Sequence, residues 1–213
     1  MTDVQSAPGD LSKFAPQLSS DLMVPGMTST STRTGLSITV TAATGTGPTS
    51  LAAFDDALRA AGVANFNLIR LSSVIPPGST VVGLPAQEPG IPGAIDLTDS
   101  SPLLRRDLGG GWGDRLYAVW AYQSAELLGQ EAWAGVAWAQ DPSDNRGLFV
   151  EHEGASEAQV RQELEASLTS ICEARGMRDL EQHSVVVGAT CDGPPVAALV
   201  IAPYQTATWD PAA

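Results

Sequence analysis

The most informative segment of the chain is Asn67-Leu-Ile-Arg-Leu-Ser-Ser-Val-Ile-Pro-Pro-Gly78. Its first half is an apolar run interrupted only by Arg70, which is typical of a buried or half-buried β-strand. It ends in Pro76-Pro77-Gly78, a combination that neither a helix nor a central strand tolerates. Two adjacent hydroxyl groups, those of Ser72 and Ser73, are therefore predicted where a strand gives way to a turn.

This serine pair has an ordinary and a chemical interpretation. In the ordinary one, Ser72 and Ser73 are polar residues at a strand end. In the chemical one, the Ser73 hydroxyl lies beside the preceding carbonyl, so its attack is intramolecular and has a large entropic advantage. Attack on the Ser72 carbonyl forms an ester, and β-elimination then cuts the chain and leaves dehydroalanine, which hydrolyses to a pyruvoyl group.

Bulk composition indicates a globular protein and narrows its partners. The length of 213 residues is enough for one domain with a substantial core. A composition of 43% hydrophobic and 16% charged residues is typical of a globular protein. A net charge of −13 argues against nucleic acid and anionic membranes as partners. Two cysteines and two histidines predict neither a disulfide framework nor a histidine-rich metal site. We find no signal-peptide pattern and no apolar run of about 18 residues, and therefore expect a cytoplasmic protein.

The pattern of elements predicts an α+β fold with two helices and roughly seven strands. Residues 1–34, rich in Ser, Thr, Pro and Gly, predict a flexible N-terminal tail, and residues 35–213 the folded domain. Residues 85–111 have little pattern and predict a long loop. The clearest helix is predicted from Ala155 to Arg175, with an apolar face formed by Val160, Leu164, Leu168 and Ile171.

A shorter helix is predicted to begin at Thr49 or Ser50 and to end at Gly62. Its apolar face is predicted from residues at helical spacing, which are Leu51, Phe54, Leu58 and Ala61. Asp55 and Asp56 lie on this helix and point about 100° apart, so only one of them can share a given face. They are either a solvated pair, favoured by the helix dipole, or the source of one recognition carboxylate.

A second carboxylate candidate lies in Gly147-Leu-Phe-Val-Glu-His-Glu-Gly154, an apolar strand that ends in charged residues. Glu151 and Glu153 share one face of this strand, and His152 points to the other. Glu151 is either a surface charge at a strand end or a functional carboxylate.

Three segments together resemble the pyruvoyl-dependent arginine decarboxylases. The Ser-Ser pair and Pro-Pro turn of residues 67–78 resemble the family's self-cleavage segment. Ala53-Phe-Asp-Asp-Ala-Leu58 resembles the family's Ala-Phe-Asp-Gly-Ala-Leu, and residues 147–154 resemble its Gly-Leu-x-x-Glu-x-Glu-Gly. The segments occur in family order, and the resemblance runs from about Leu36 to Tyr204.

The resemblance implies catalytic roles for Ser72, Ser73, Glu151 and Asn67. The chain would cut itself between Ser72 and Ser73 and leave a covalent pyruvoyl group in place of Ser73. Glu151 would protonate the substrate Cα after decarboxylation, a task that suits a carboxyl whose pKa is raised by apolar surroundings. Asn67 would hydrogen-bond a carbonyl that develops negative charge.

The resemblance also implies a substrate site for L-arginine. Asp55 would accept two parallel hydrogen bonds from the substrate guanidinium, and Leu58 and Val74 would flank its methylene groups. Asp56 departs from the small residue that the family has at this position.

The activity implied is conversion of L-arginine to agmatine and carbon dioxide, with no metal. The implied architecture is a single-domain, four-layer αββα sandwich. The cleaved chains would assemble as a trimer or a dimer of trimers, with active sites at subunit interfaces. Two alternatives remain: a pyruvoyl decarboxylase for another amino acid such as histidine, and a non-cleaving, non-catalytic scaffold oligomer. Asp56 and the long segment 85–111 leave room for the scaffold.

Overall fold

Two β-sheets form the framework of the computed structural model, which describes residues 35–84 and 108–209. Strands are numbered along the chain. The first sheet contains, in spatial order, β2 (Asn67–Arg70), β5 (Arg115–Ala125), β9 (Val196–Ala207), β1 (Ser37–Thr46) and β4 (Thr80–Gly83). The second contains β3 (Val74–Ile75), β7 (Gly147–Gly154), β6 (Glu131–Gln140) and β8 (Gln182–Thr190).

The described residues also contain helices α1 (Ser50–Ala60) and α2 (Glu157–Ala174), which complete an α+β domain. Neither helix has the length and hydrophobicity needed to span a bilayer. The tail predicted for residues 1–34, most of the loop predicted for 85–111, and residues 210–213 lie outside the described part of the chain.

Each helix packs closely on one sheet, at a glycine in the strand beneath it. Helix α1 packs on the five-stranded sheet, where a Cβ added to Gly45 would collide with the carbonyl oxygen of Ala53. Helix α2 packs on the four-stranded sheet, where a Cβ on Gly135 would come within 2.7 Å of a Leu164 methyl group. Glycine at these two positions allows the helices to approach the strands.

The ends of α1 agree with the sequence pattern, but its buried face differs from the predicted one. Thr49 is the N-cap and accepts a hydrogen bond from a backbone N–H, while Gly62 follows the helix with a φ of +77°. The buried stripe consists of Ala53, Ala57 and Ala61, whereas Leu51 is 76% exposed. Close packing on the sheet selects the small residues, so the larger apolar side chains lie beside the contact or in solvent.

Helix α2 matches the predicted pattern more fully. Ser156 caps its N-terminus by accepting a hydrogen bond from the N–H of Gln159. The buried face consists of Val160, Leu164, Leu168 and Cys172. Ile171, predicted for the same face, is half-buried.

The largest apolar cluster contains residues from both sheets. The five-stranded sheet contributes side chains of β1, β5 and β9, and the four-stranded sheet those of β6, β7 and β8. Its larger buried members include Ile38, Val40, Val119, Trp138 and Phe149. Burial of this apolar surface holds the sheets together.

Strand β2 is an exposed edge strand of the first sheet, which corrects the prediction of a buried or half-buried strand. Its apolar residues pair with β5 on one side only, and the other side has no strand among the described residues. The short β3 that follows is an edge strand of the other sheet. The chain therefore changes from one sheet to the other within Leu71, Ser72 and Ser73, the sheet-switch link.

Candidate functional site

Hydrogen bonds fix the sheet-switch link at both ends. The N–H of Leu71 donates to the carbonyl of Ala118 on β5 at 3.0 Å. Two residues later, the carbonyl of Ser73 accepts a hydrogen bond from the N–H of Phe149 on β7 at 2.8 Å. The peptide bond between Ser72 and Ser73 lies between these two hydrogen bonds. The first sheet therefore holds the chain before this bond, and the second sheet holds the chain after it.

Ser73 has a φ of +67°, in the left-handed region that side chains other than glycine rarely adopt. Such a conformation costs on the order of 1–3 kcal/mol and persists only where its surroundings enforce it. The hydrogen bonds at both ends of the sheet-switch link supply that enforcement. The local strain therefore lies next to the peptide bond that the sequence analysis predicts as the cleavage site.

The Ser73 side chain contacts the carboxylate of Glu151. Its Oγ lies 3.0 Å from Glu151 Oε1 and 2.9 Å from Oε2, within hydrogen-bond distance of both. The pairing of Val74 with Leu148 brings β3 alongside β7 and so places the two residues together. Since a carboxylate only accepts hydrogen bonds, Ser73 is the donor and Glu151 can take its proton.

Arg70, the last residue of β2, lies on the other side of this carboxylate. One terminal guanidinium nitrogen is 3.6 Å from Glu151 Oε1, and it donates to the carbonyl of Trp120 at 2.8 Å. The guanidinium also lies over the Trp120 ring, 5.3 Å from its centroid. The first sheet thus supplies a positive charge to a carboxylate of the second.

Tyr204 on β9 is a buried polar residue that the sequence analysis did not identify. Its hydroxyl donates to the carbonyl of Val74 at 3.1 Å, one residue beyond Ser73. Burial raises the pKa of Tyr204, and the nearby charge of Glu151 raises it further. The signal for it was a tyrosine in a continuous apolar run, because a buried tyrosine hydroxyl needs a hydrogen-bond partner.

A cavity of about 280 Å³ opens beside the serine pair. Its polar lining consists of Ser72, Ser73, Glu151, His152, Ser167 and Arg175. Its apolar lining comes from β7 and from Ile171 of α2. The described residues contain no cluster of three or more histidine, cysteine or acidic side chains suited to holding a metal ion.

The two aspartates of α1 have different environments. Asp56 accepts hydrogen bonds from the Thr46 N–H at 3.0 Å and from Arg59 at 3.1 Å, so it fixes the helix to the end of β1. Asp55 is exposed, and no hydrogen bond engages its side chain within the described ranges. Leu58 packs in the cluster beneath α1. Neither Asp55 nor Leu58 lines the cavity beside Ser73.

Asn67 also lies apart from Ser73 in this chain. Its side-chain amide donates to the carbonyl of Gly113 at 2.6 Å, and the length of β2 separates it from Arg70 by roughly 10 Å. Val74 is 55% exposed next to Ser73 and does not line the cavity. Of the sequence-predicted residues, the structure thus brings together Ser72, Ser73 and Glu151, while Asp55, Leu58 and Asn67 lie elsewhere.

Comparisons with known proteins point in one direction. Residues 37–95 match the family model described as "Pyruvoyl-dependent arginine decarboxylase (PvlArgDC)". A pyruvoyl-dependent arginine decarboxylase of Halobacterium salinarum is 36% identical over 166 residues, which cover 76% of this chain and 89% of the relative. Pyruvoyl-dependent arginine decarboxylase 2 of Archaeoglobus fulgidus is 34% identical over 49% of this chain and 55% of its own length.

A solved structure of a pyruvoyl-dependent histidine decarboxylase at pH 8 also aligns, with 17% identity and a TM-score of 0.33. The alignment covers 51% of this chain and 60% of the other. A structural similarity this low does not define a common fold.

Proposed function

The chain belongs to the pyruvoyl-dependent arginine decarboxylase family, and we propose that it converts L-arginine to agmatine and carbon dioxide after cutting itself between Ser72 and Ser73. The observation that carries this proposal is the contact between Ser73 Oγ and the Glu151 carboxylate at the strained sheet-switch link. It joins a nucleophile to a base at the peptide bond that must break.

Self-cleavage uses groups that this chain supplies. Glu151 takes the hydroxyl proton of Ser73 as Oγ bonds to the Ser72 carbonyl carbon. The C–N bond between the two residues then breaks, the nitrogen takes up a proton, and an ester remains. Loss of the Ser73 α-proton and cleavage of its Cβ–O bond release residues 1–72 with a carboxylate end. Water then enters and ammonia leaves, so that residues 73–213 begin with a pyruvoyl group.

The surroundings of Ser73 fit a pyruvoyl group at this position. The Ser73 carbonyl accepts a hydrogen bond from Phe149, and the Val74 carbonyl accepts one from Tyr204. Strand β3 also pairs with β7, with Val74 opposite Leu148 and Ile75 opposite Gly147. All of these contacts lie on the C-terminal side of the scissile bond, so they can keep the new chain end in place after cleavage.

The pyruvoyl group supplies an electron-withdrawing carbonyl that stabilises the negative charge left when carbon dioxide departs. Glu151 then has a second task. Because its carboxyl group reaches the Ser73 side chain, it is within range to protonate the Cα of a substrate held there. The 18% exposure of the Glu151 side chain limits competition from bulk water for that proton.

Substrate recognition is the part of the proposal that needs a second copy of the chain. Asp55 is exposed and unengaged within the described ranges, so its carboxylate is available to a guanidinium. It is not part of the cavity beside Ser73 of its own chain. We therefore propose a homo-oligomer, a trimer or a dimer of trimers, in which Asp55, Leu58 and Asn67 of one subunit complete the site of the next.

The proposal also includes the finer architecture. A four-layer αββα sandwich is supported by the packing of the four layers. Helix α1 lies on one sheet, α2 lies on the other, and an apolar cluster joins the two sheets. The proposed domain spans residues 35–213, after an N-terminal tail of residues 1–34.

A decarboxylation assay tests the function. Purified protein is incubated separately with L-arginine and with L-histidine, and carbon dioxide and the amine product are measured. We expect agmatine from arginine, no comparable release from histidine, and loss of activity after borohydride treatment, which reduces a ketone. The matched control is Ser73→Ala, which cannot form the ketone. Equal turnover of histidine, or activity that survives in Ser73→Ala, would contradict the proposal.

A further inference from the structure

We propose that Arg70 is a positioning residue for self-cleavage, whose positive charge holds the Glu151 carboxylate in the orientation that accepts the Ser73 proton. This inference rests on the proposed function, because it concerns the same cleavage. It adds a residue of the other sheet to the machinery around the serine pair.

Trp120 holds the guanidinium of Arg70 in place beside Glu151. The Trp120 carbonyl accepts a hydrogen bond from it at 2.8 Å, and the Trp120 ring lies beneath it at 5.3 Å. A carbonyl and an aromatic face are both attractive to a cation. Trp120 therefore fixes the direction from which the positive charge approaches Glu151.

The distances from Glu151 to Ser73 and to Arg70 indicate different roles for these two neighbours. Ser73 Oγ lies at hydrogen-bond distance, 2.9 and 3.0 Å from the carboxylate oxygens. Arg70 lies at 3.6 Å, close enough for charge attraction but beyond a good hydrogen bond. Arg70 therefore attracts the carboxylate without displacing Ser73, and the base stays available to the hydroxyl.

Among the described residues, the other charged or titratable groups near Glu151 do not form an ion pair with it in place of Arg70. Tyr204 faces it from β9 and stays neutral, because burial raises the pKa of the phenol. Arg175 lines the same cavity from the end of α2, but no ion pair joins it to Glu151 within the described ranges. His152 also lines this cavity, but it contacts Ser167 at 2.8 Å and Glu163 at 3.4 Å, and no hydrogen bond joins it to Glu151 within the described ranges.

The test follows cleavage of full-length chain made in a cell-free system, so that synthesis defines the starting time. Intact mass spectrometry gives the cleavage rate at neutral pH in low and in high salt, because salt screens a half-exposed ion pair. Arg70→Gln and Arg70→Lys are compared with Arg161→Gln. Arg161 is a matched control, since it is also 51% exposed and paired with a glutamate, Glu157.

We expect Arg70→Gln to slow cleavage about tenfold and to abolish the salt dependence of the wild-type rate. Arg70→Lys, which keeps the charge, should restore most of the rate, and Arg161→Gln should match the wild type. A wild-type rate in Arg70→Gln would overturn the inference. Equal slowing in Arg70→Gln and Arg70→Lys would also overturn it, because the positive charge at this position would then not matter.

If Arg70→Gln does not fold, the wild-type chain decides. Added salt should then slow its cleavage, and a salt-independent wild-type rate would overturn the inference. If the wild-type chain is not cut at all, the proposed function fails together with the inference, whereas normal cutting without an Arg70 effect removes only the inference.

Discussion

Ser73 and Glu151 are 78 positions apart in the sequence, yet the Ser73 hydroxyl oxygen lies 2.9 and 3.0 Å from the two carboxylate oxygens of Glu151. The contact exists because the chain crosses from one sheet to the other at Ser73 and immediately pairs with the strand that carries Glu151. This contact supports our proposal that one carboxyl group serves twice, as the base that starts self-cleavage and as the acid that ends decarboxylation.

Replacement of the two serines should separate their roles. Ser73→Ala removes the nucleophile and leaves the chain uncut, whereas Ser72→Ala keeps the attacked carbonyl and should still be cut. Intact mass spectrometry of both variants reads the result directly. Cleavage at this bond in Ser73→Ala, or a complete block in Ser72→Ala with a folded chain, would refute the assignment.

Glu151→Gln removes the proton-accepting carboxylate but preserves its size. We expect slower cleavage and a loss of roughly 10²–10⁴-fold in decarboxylation per mole of cleaved chain, the usual contribution of a positioned acid or base. Glu153→Gln on the same strand is the matched control and should retain both rates. Normalisation to cleaved chain separates the two tasks, and unchanged turnover in Glu151→Gln would exclude Glu151 as proton donor.

The adjacent aspartates of α1 should respond differently to alanine. Asp55→Ala should raise the KM for arginine by at least about tenfold, because a bidentate carboxylate–guanidinium contact is lost, and should leave chain cleavage unchanged. Asp56→Ala should mainly lower stability, because the Thr46 N–H and Arg59 lose their acceptor. Steady-state kinetics and urea unfolding of both variants check this, and a normal KM in Asp55→Ala would remove it as the guanidinium partner.

Tyr204 makes stability fall at high pH. Its pKa is raised in the folded chain, so above about pH 10 the unfolded chain releases the phenol proton first and unfolding becomes easier. Stability from this group is therefore complete below about pH 10 and is lost as pH rises beyond it. Tyr204→Phe should be about 1 kcal/mol less stable near neutrality and should lose less stability between neutrality and high pH. Urea midpoints against pH measure this, and equal slopes for both proteins would disprove it.

Close packing of α1 on β1 predicts that Gly45 tolerates no side chain. Gly45→Ala should lower the free energy of unfolding by about 1–3 kcal/mol, because the new methyl group meets the backbone of α1. Gly193→Ala is the control, since a Cβ there meets nothing within 4 Å. A wild-type unfolding midpoint for Gly45→Ala would show that α1 is not held as closely as described.

Local sequence patterns predicted the helices and strands better than they predicted which elements pack against each other. The spacing of Val160, Leu164 and Leu168 identified α2 because one helix face meets one sheet. The apolar run of β2 predicted a buried or half-buried strand, whereas only Leu68 of this strand is half-buried. The burial of a strand depends on which strands flank it, and that order is set by tertiary contacts. Leu51 was assigned to a buried face for the same reason, although the sheet accepts only alanines there.

The candidate site was predictable only in part. The resemblance to a family identified Ser73 and Glu151 as site residues. No local sequence pattern could indicate that these two residues are in contact. Arg70 entered the sequence analysis only as an interruption of an apolar run, because its partners Trp120 and Glu151 lie on other strands. Tyr204 entered the sequence analysis only as the end of the region of resemblance, since its hydroxyl partner, the Val74 carbonyl, is a backbone group that no sequence pattern displays.

Self-cleavage between Ser72 and Ser73 is read most simply from the mass spectrum of the denatured, purified protein. We expect two fragments, residues 1–72 with a free carboxylate and residues 73–213 with a pyruvoyl N-terminus, the second lighter than its serine-ended form by the loss of ammonia. A single intact chain after prolonged incubation, or a cut at any other bond, would contradict this expectation.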